Sequence, residues 1–535
     1  MRKQARSPYN ATNPQKRIEM FPPILIGKHP TDDDFLASYG QTFVMLAAAP
    51  GTGKGVGMVI PNALTYPDSM VINDPKFENW HLTAGFRASC GQAVYRFSPE
   101  MLETHRWNPL SRLNRDPLFR LGEIKAMASV LFVPDNPKNA SFFGASADIF
   151  TALVLYLMET PSLPFTLPQI YEIAAQGMAL GEWAKKELDA RSNGNTPLSS
   201  ECLREMNRLV SSSQSKTGWP ITQDILNKRL SLYGEKTVAW AVSGDDIKFD
   251  DLRRKKMTVY FCVTEGALLK FGALMNLFYS QAIAANSKIL PEYGGNNPDG
   301  TLIYQYQVLF LMDEFAVMGV IEKMKTALAL TRGAGLRYLI IFQGKAQLRA
   351  DELYGVQGAN SIMDAVHIEV VYAPGNIDAA TEYSKRLGNT TVKVANFSEN
   401  YGEKKTRSKS YSDQARPLML PQEVNELPYD KALIFVQATD KTPALKILAR
   451  KIVWYQEAVF QARVNLPLPA VPVGDVNAIA ALVVPMNINK PMANVTLAPP
   501  HDLGMNEEQQ RRRMSTEDKS INDPDYVEIT ENDLP

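Results

Sequence analysis

The chain has 535 residues, with 57 Lys and Arg balanced by 57 Asp and Glu, 45% hydrophobic residues and three cysteines. This length allows two to four domains with buried cores, and the balanced charge means that any nucleic-acid-binding surface must be local. The cysteines lie far apart without metal-ligand spacing, which favours reduced packing residues over a metal site or a disulfide framework.

Residues 1–40 are polar and rich in proline and asparagine, and we predict an N-terminal arm there. The basic residues between Arg2 and Arg6 precede no apolar stretch, which argues against a secretory signal. The longest apolar run, Ile149–Met158, is shorter than the ~18 residues of a membrane-spanning helix. We therefore expect no transmembrane segment in this chain.

From Gln41 onward the pattern is that of an α/β protein. Short apolar runs without alternation predict buried strands, which suits a mainly parallel sheet covered on both faces. The runs are Phe43–Leu46, Met70–Ile72, Val94–Phe97, Val259–Val263, Val308–Met312, Tyr338–Phe342, Ile368–Val371 and Leu433–Val436.

The segment Leu46-Ala-Ala-Ala-Pro-Gly-Thr-Gly-Lys-Gly55 is typical of a phosphate-binding loop between a strand and a helix. Backbone N–H groups of such a loop converge on phosphate oxygens, and Lys54 reaches the terminal phosphates. Against G-x-x-x-x-G-K-[ST], Ala48 replaces the first glycine and Gly55 replaces the Ser or Thr, so a Gly-rich turn without a ligand is the alternative. The predicted nucleotide-binding residues are Pro50, Gly51, Thr52, Gly53, Lys54, Gly55 and Val56.

Between about residues 140 and 245 the strand signal vanishes. Thr166-Leu-Pro-Gln169 matches a capping box with an early proline, and helical spacing follows it. We predict an all-helical insertion that interrupts one sheet domain. The predicted domains are an arm at 1–40, a nucleotide-binding domain in two parts at 41–140 and 246–460, an all-α insertion at 141–245, and a tail at 461–535.

The predicted tail is proline-rich at first and acidic at its end. Residues 501–535 hold ten acidic against four basic residues, which predicts a largely disordered C-terminal segment.

The segment Val308-Leu-Phe-Leu-Met-Asp-Glu-Phe315 predicts a buried strand with two carboxylates at its end. An NTPase needs one carboxylate at a hydrated Mg²⁺ and another that polarises the attacking water. We assign Asp313 to the metal, directly or through water, and Glu314 to the base. The alternative is a strand that runs into a solvated acidic turn.

Two further residues are catalytic candidates by position. Gln343 ends the predicted strand Tyr338–Phe342, where a glutamine can sense the γ-phosphate through a hydrogen bond. Arg332 follows a helical stretch and precedes Gly333, so it is a candidate for a finger supplied to the nucleotide of a neighbouring subunit. A turn residue and a solvated arginine are the respective alternatives.

These residues together resemble the TraG-type coupling proteins of type IV secretion and conjugation systems, ATPases akin to FtsK-like translocases. The matching pieces follow the family order over roughly residues 40 to 455. They are Pro50–Gly57 with Val59-Ile-Pro61, Asn73-Asp-Pro-Lys-Phe-Glu-Asn-Trp80, Val94–Phe97, Trp107-Asn-Pro109, Leu311–Phe315, Arg332 with Gln343, Ala373-Pro374, Asp378, Leu387-Gly388 and Arg416-Pro417.

The resemblance implies a RecA-like P-loop NTPase domain, ATP with Mg²⁺, a homo-hexamer with a central channel for DNA, and recruitment of relaxase–DNA or protein substrates to a type IV secretion channel. It also implies work at the cytoplasmic face of the bacterial inner membrane. Members of the family usually begin with two transmembrane helices. Because we expect none here, we predict either a truncated chain or anchoring by an inner-membrane partner.

Two basic clusters are candidates for a DNA path, where phosphate contacts give affinity without sequence preference. They are Arg253–Lys256 and the group Lys404, Lys405, Arg407 and Lys409. A solvated surface face is the alternative for both.

Three functions remain open from the sequence. The first is a coupling-protein ATPase that drives DNA transfer. The second is a nucleotide-dependent substrate receptor and scaffold with little motor activity, and the third is a DNA-translocating motor unconnected to secretion.

Overall fold

A computed structural model describes residues 21–486 except 135, 195, 402–404 and 440–442. The chain folds into two compact units. Of the described residues, the first contains 21–114, Gly122–Val133 and Gly244–Pro472. The second contains Arg115–Leu121, Pro134–Ser243 and 473–486. The acidic end at 501–535 and the basic residues near the N-terminus lie outside the described residues.

Thirteen strands belong to the described part of the first unit. They are β1 Ile24–Lys28, β2 Phe35–Ser38, β3 Val44–Ala47, β4 Ser69–Asp74, β5 Ala93–Phe97, β6 Met257–Cys262, β7 Val308–Met312, β8 Leu336–Phe342, β9 Ile368–Val371, β10 Asn389–Tyr401, β11 Lys405–Pro417, β12 Lys431–Val436 and β13 Leu445–Arg450. Eleven of them form one sheet in the order β2-β1-β13-β12-β9-β3-β8-β7-β4-β6-β5.

The centre of this sheet is parallel, with β3 between β8 and β9, and β7 beside β8. Strands β3, β4 and β6 to β9 consist of buried residues throughout, because helices cover both faces. All eight predicted strands are confirmed, as is the mainly parallel α/β fold. The carboxyl ends of the parallel strands share one edge, which we call the carboxyl edge.

Residues 21–40 do not form the arm that the sequence predicts up to residue 40, because they contribute two strands to the sheet. Strands β1 and β2 extend the sheet on its antiparallel side, where β1 pairs with β13 and β2. The side chain of Asn62 accepts a hydrogen bond from the Leu25 N–H at 2.8 Å and donates to the Leu25 carbonyl at 2.9 Å. The apolar run of β1 is short and follows two prolines, so it has no recognisable periodicity.

The described part of the chain contains seventeen α-helices. They are α1 Ile60–Ala63, α2 Glu78–Ser89, α3 Arg120–Leu131, α4 Ala140–Met158, α5 Leu167–Ala174, α6 Leu180–Ser192, α7 Ser200–Ser213, α8 Gly218–Leu230, α9 Lys236–Ala241, α10 Gly272–Ser287, α11 Met324–Leu330, α12 Lys345–Leu348, α13 Gly355–Asp364, α14 Ile377–Leu387, α15 Pro421–Asn425, α16 Ala458–Gln461 and α17 Val476–Ala480.

The described part of the second unit consists of helices, turns and loops, from α4 to α9 with α17. Thr166 caps α5 by accepting a hydrogen bond from the Gln169 N–H, as predicted. The Gln169 side chain does not complete the capping box, because it instead pairs with the N–H and the carbonyl of Val484. The predicted tail therefore begins with an ordered segment that packs on this unit.

Helix α4 is the one described helix that is long and apolar enough to cross a membrane. It has 19 residues, so it exceeds the predicted run Ile149–Met158. Two thirds of its apolar window is buried inside the protein, as in the central helix of a bundle.

Strands β10 and β11 form a separate two-stranded ribbon. They pair from Asn389↔Pro417 at the base to Tyr401↔Lys405, and the Leu418 N–H closes the base on the Gly388 carbonyl at 2.8 Å. In the sequence this region is only a polar, basic stretch, because Ser, Lys and Arg lower the strand signal.

Candidate functional site

The predicted phosphate loop follows β3 at the carboxyl edge of the sheet. Thr52 closes a turn by donating its N–H and its hydroxyl to the Ala49 carbonyl, at 3.3 and 2.6 Å. A wide π-helical turn, Gly55–Val59, then leads into α1. The strand, the glycine-rich turn and the helix start thus occur in the order that a phosphate-binding loop requires.

Two tyrosines pack closely against Gly53 of the phosphate loop and against Gly57 of the turn after it, which favours glycine at both positions. A Cβ atom on Gly53 would lie 2.6 Å from the Tyr429 hydroxyl, and Gly53 also has a φ of +82°. A Cβ atom on Gly57 would overlap the Tyr372 hydroxyl. Gly57 lies outside the phosphate-loop pattern, so packing accounts for it.

Lys451 supports the loop from the antiparallel part of the sheet. Its Nζ donates to the Thr52 carbonyl at 2.9 Å and lies 3.9 Å from the ring centre of Tyr372 and 4.9 Å from that of Tyr429. Among the described residues, no carboxylate forms an ion pair with it. Burial lowers the pKa of Lys451 to about 8, and the charge of Asp430 opposes this shift.

The two predicted carboxylates follow β7 at the same edge. Asp313 is buried, its Oδ1 accepts the Glu314 N–H at 3.0 Å, and its carbonyl accepts the side-chain amide of Asn73 at 2.5 Å. Glu314 has a φ of +55°, a left-handed conformation that is uncommon for non-glycine residues. Burial raises the pKa of Asp313 to about 6, Lys54 opposes this, and Glu314 adds to it.

Glu314 joins three parts of the site. One carboxylate oxygen forms an ion pair with Lys54 of the phosphate loop. The other accepts the side-chain amide of Gln343, which follows β8, at 3.4 Å. The structure thus brings Lys54, Asp313, Glu314 and Gln343 together at the ends of three neighbouring strands.

Arg332 lies away from this group. It precedes β8, and its guanidinium carbon lies 5.3 Å from the ring centre of Phe43, which precedes β3. It also lies 3.4 Å from the carbonyl of Ala365 and from Nδ1 of His367, which precedes β9. Arg332 therefore occupies the amino edge of the sheet, opposite the phosphate loop of its own chain.

The structure places the residues of the two predicted basic clusters in different surroundings. Arg253 is buried and donates to the carbonyls of Ile289 and Ala334, so it is a structural residue and cannot contact DNA. Lys404 lies outside the described residues. Lys405, Arg407 and Lys409 belong to β11 of the ribbon.

Asn73 and Asp74, for which the sequence predicted no role, end β4 beside β7. Asp74 accepts the N–H groups of Trp80 at 2.7 Å and Asn79 at 3.3 Å, and so caps the start of α2. Burial raises the pKa of Asp74 to about 7, although the two N–H groups oppose it, and the neighbouring Asp313 raises it further. The sequence did contain a signal for these two residues, because two polar residues directly follow an apolar run.

A cavity of about 410 Å³ adjoins the phosphate loop at the carboxyl edge. Ala49, Pro50 and Gln343 line one side, and Asn376 and Asp378 at the start of α14 line another. This volume falls within the range of small-molecule sites. The phosphate loop thus opens directly into a space that can hold more of a ligand than its phosphates.

The residues at this edge fit a Mg²⁺ ion that is held mainly by phosphates. In the described part of the chain, no group of three His, Cys, Asp or Glu residues could hold a metal alone. Mg²⁺ in NTPases takes one or two carboxylates and completes its shell with phosphates and water, so Asp313 suffices. Gly55 offers no hydroxyl ligand, whereas the buried Oδ1 of Asn73 has no hydrogen-bond partner in the structure and offers a further acceptor.

The chain matches a family model described as type IV secretory system conjugative DNA transfer over residues 4–472. It is 27% identical to the protein VirD4 of Agrobacterium fabrum over 82% of this chain and 62% of that protein. It is 26% identical to the conjugal transfer protein TraG of Escherichia coli over 82% of this chain and 71% of that protein. The chain thus spans less than two thirds of the length of the VirD4 relative.

Solved structures of the plasmid coupling protein TrwB share the fold. The complex of TrwB with a non-hydrolysable ATP analogue aligns with a TM-score of 0.51 and 16% identity, over 82% of this chain and 89% of that chain. The complex of TrwB with ADP and Mg²⁺ aligns with a TM-score of 0.50, over 77% and 85% of the two chains.

Proposed function

The chain belongs to the family of type IV secretory system conjugative DNA transfer proteins, and we propose that it is an ATPase that drives transfer of its substrate by ATP hydrolysis. The family membership confirms the resemblance found in the sequence. It makes this chain a coupling protein and leaves no support for a motor unconnected to secretion. The substrates and partners below are part of the proposal.

One observation carries the ATPase proposal, namely the ion pair between Lys54 and Glu314. This pair joins the phosphate loop after β3 to the carboxylate after β7, which is two strands away in the sheet. The two residues meet at the carboxyl edge, although 260 positions separate them in the chain. A scaffold that only binds nucleotide needs the lysine but not the carboxylate. The pairing therefore favours hydrolysis over binding alone.

The residues divide the work by position. The loop amides between Pro50 and Val56 and the Lys54 ammonium bind the phosphates, which separates Lys54 from Glu314. Glu314 then orients the attacking water and accepts its proton, while Gln343 holds the other carboxylate oxygen and senses the terminal phosphate. When bound, Mg²⁺ at Asp313 neutralises charge on the phosphate oxygens.

Arg332 completes the site from a neighbouring subunit. Its place at the amino edge keeps it from the nucleotide of its own chain, so it can act only across a subunit boundary. We therefore propose a ring-shaped homo-oligomer, expected to be a hexamer, in which the amino edge of one subunit faces the carboxyl edge of the next.

We further propose that the substrate is DNA with an attached relaxase, delivered to a secretion channel at the inner membrane. The matching family model is described as conjugative DNA transfer, the TraG relative is named a conjugal transfer protein and TrwB a plasmid coupling protein, which supports this substrate class. Inner-membrane components of the channel are the expected anchoring partners.

The test is ATP turnover by the purified chain, with and without DNA, in wild type and Lys54→Ala. A matched control is Lys228→Ala, since Lys228 is exposed on α8 of the second unit and pairs with Asp224 at 2.8 Å. Turnover in wild type and Lys228→Ala but not in Lys54→Ala supports the proposal. Nucleotide binding without turnover in every condition would favour the receptor and scaffold function.

A further inference from the structure

The β10–β11 ribbon has two chemically different faces. Side chains alternate between the faces of a strand, and directly opposed residues of an antiparallel pair share a face. One face carries the register pairs Lys393↔Asp413, Ala395↔Tyr411 and Phe397↔Lys409. The other carries Val392↔Gln414, Val394↔Ser412 and Asn396↔Ser410. Among these pairs, the aromatic and basic residues all lie on the first face.

Three side chains of the first face form a compact group, which we call the aromatic–lysine face and define as Phe397, Lys409 and Tyr411. Phe397 is 74% exposed and Tyr411 is 63% exposed. The Nζ of Lys409 lies 5.3 Å from the ring centre of Phe397 and 5.1 Å from that of Tyr411. Two solvent-facing rings therefore flank one ammonium group.

Fold stability does not account for this group. Exposed aromatic rings gain little from burial, and a free two-stranded ribbon is at best marginally stable, so the rings contribute little to the core. Contiguous exposed apolar surface on a protein marks an interaction site. The ribbon from Asn389 to Pro417 contains six basic and three acidic residues, so a negatively charged partner is favoured.

We propose that the aromatic–lysine face binds unpaired nucleotides of single-stranded DNA. Bases stack on the rings of Phe397 and Tyr411, while Lys409 contacts the phosphates between them. This inference rests on the proposed function in that DNA is the substrate. The base faces of duplex DNA are stacked and inaccessible. A two-stranded ribbon would bind a duplex in the major groove, through contacts to phosphates and base edges, and would not need exposed rings.

The experiment measures the affinity of the full chain for a fluorescent single-stranded oligonucleotide and for its duplex, by anisotropy. The test variant is Phe397→Leu with Tyr411→Leu, which keeps apolar side chains and removes the ring faces. The control is Ser410→Ala, an exposed residue on the opposite face. We expect the double variant to lose about ten-fold or more in single-strand affinity, because each stacked base contributes appreciably. The control keeps the wild-type value.

Further variants separate stacking from charge. Lys409→Gln should weaken single-strand binding and flatten its salt dependence, whereas Phe397→Tyr with Tyr411→Phe should bind as wild type does. Equal losses in the double leucine variant and in Ser410→Ala, unchanged binding in the double variant, or a preference for duplex would each overturn the inference. ATP turnover of the wild-type chain is measured in the same preparation. If the wild-type chain hydrolyses ATP but does not bind single-stranded DNA, the inference about the ribbon is refuted and the proposed ATPase function is not.

Discussion

Lys451 and Thr52 are joined by a 2.9 Å hydrogen bond across 399 residues of sequence. The bond ties the phosphate loop to the residue that follows β13, at the antiparallel side of the sheet. The loop thus has a second support besides its own turn, and this support is a buried cation. Its charge is expensive to bury, which indicates a role in holding a loop that binds anions.

We predict that Lys54→Ala loses ATP binding, whereas Glu314→Gln binds ATP and hydrolyses it about 10²–10⁴-fold more slowly. In the proposed mechanism, Lys54 contacts the phosphates, while Glu314 acts on the attacking water. Equilibrium binding of a fluorescent ATP analogue and steady-state turnover check both. Normal turnover by Glu314→Gln would rule out its assignment as the base.

We predict that Arg332→Ala reduces turnover by about 10³-fold, as expected for an arginine finger. Mixed oligomers of Arg332→Ala and Lys54→Ala subunits should regain part of this turnover, because one interface type then combines an intact loop with an intact arginine. Mixing is verified by mass spectrometry, and Arg332→Ala mixed with wild type serves as the reference. An absence of recovery in verified mixtures would contradict action across the subunit boundary.

We predict that Lys451 makes ATP affinity and the free energy of unfolding depend on pH in opposite directions. Burial lowers its pKa from 10.5 to about 8 in the folded chain, so the unfolded chain binds more protons between these values. The contribution of Lys451 to the free energy of unfolding therefore rises with pH in that window. ATP affinity should instead fall above about pH 8, because the cation at the Thr52 carbonyl is lost.

Two variants test this lysine. Lys451→Arg, which stays charged, should keep the affinity at high pH. Lys451→Met should bind ATP weakly at neutral pH but unfold at no lower urea concentration than wild type, since it removes a buried charge. An affinity for ATP that does not change with pH in wild type, or a Met variant with full affinity, would contradict the role of the cation.

We predict that Gly57→Ala destabilises the chain by about 1–3 kcal/mol, because the new methyl group overlaps the Tyr372 hydroxyl. Urea unfolding measures the change. The matched control for stability is Gly55→Ala, where a Cβ atom meets nothing within 4 Å. Adding Tyr372→Phe should recover part of the loss in Gly57→Ala, and no recovery would show that the Ile452 carbonyl, 3.1 Å away, is the limiting contact.

The sequence predicted the centre of the fold well because buried parallel strands are continuous apolar runs. It also predicted that Lys54, Asp313, Glu314 and Gln343 lie at one edge of the sheet, since each follows such a strand and parallel strands share a carboxyl edge. It could not find β1 or the ribbon, whose residues are too few or too polar for a periodic signal.

The contacts that support the phosphate loop also could not be predicted from the sequence. Lys451 and Tyr429 belong to the antiparallel side of the sheet near the end of the described chain, and nothing in their local pattern indicates that they meet Thr52 and Gly53. Packing over such distances is decided by the tertiary fold. The position of Arg332 at the amino edge likewise followed only from the sheet order.

The long sequence separation between Thr52 and Lys451 has a consequence for synthesis on the ribosome. The phosphate loop is translated early, and the helical segment 134–243 follows and can fold from local contacts. The loop gains its cation only after residue 451 has left the exit tunnel. A nascent chain should therefore acquire tight ATP binding late, when nearly the whole first unit is made, and a ribosome stalled before that point should carry a chain that binds ATP poorly.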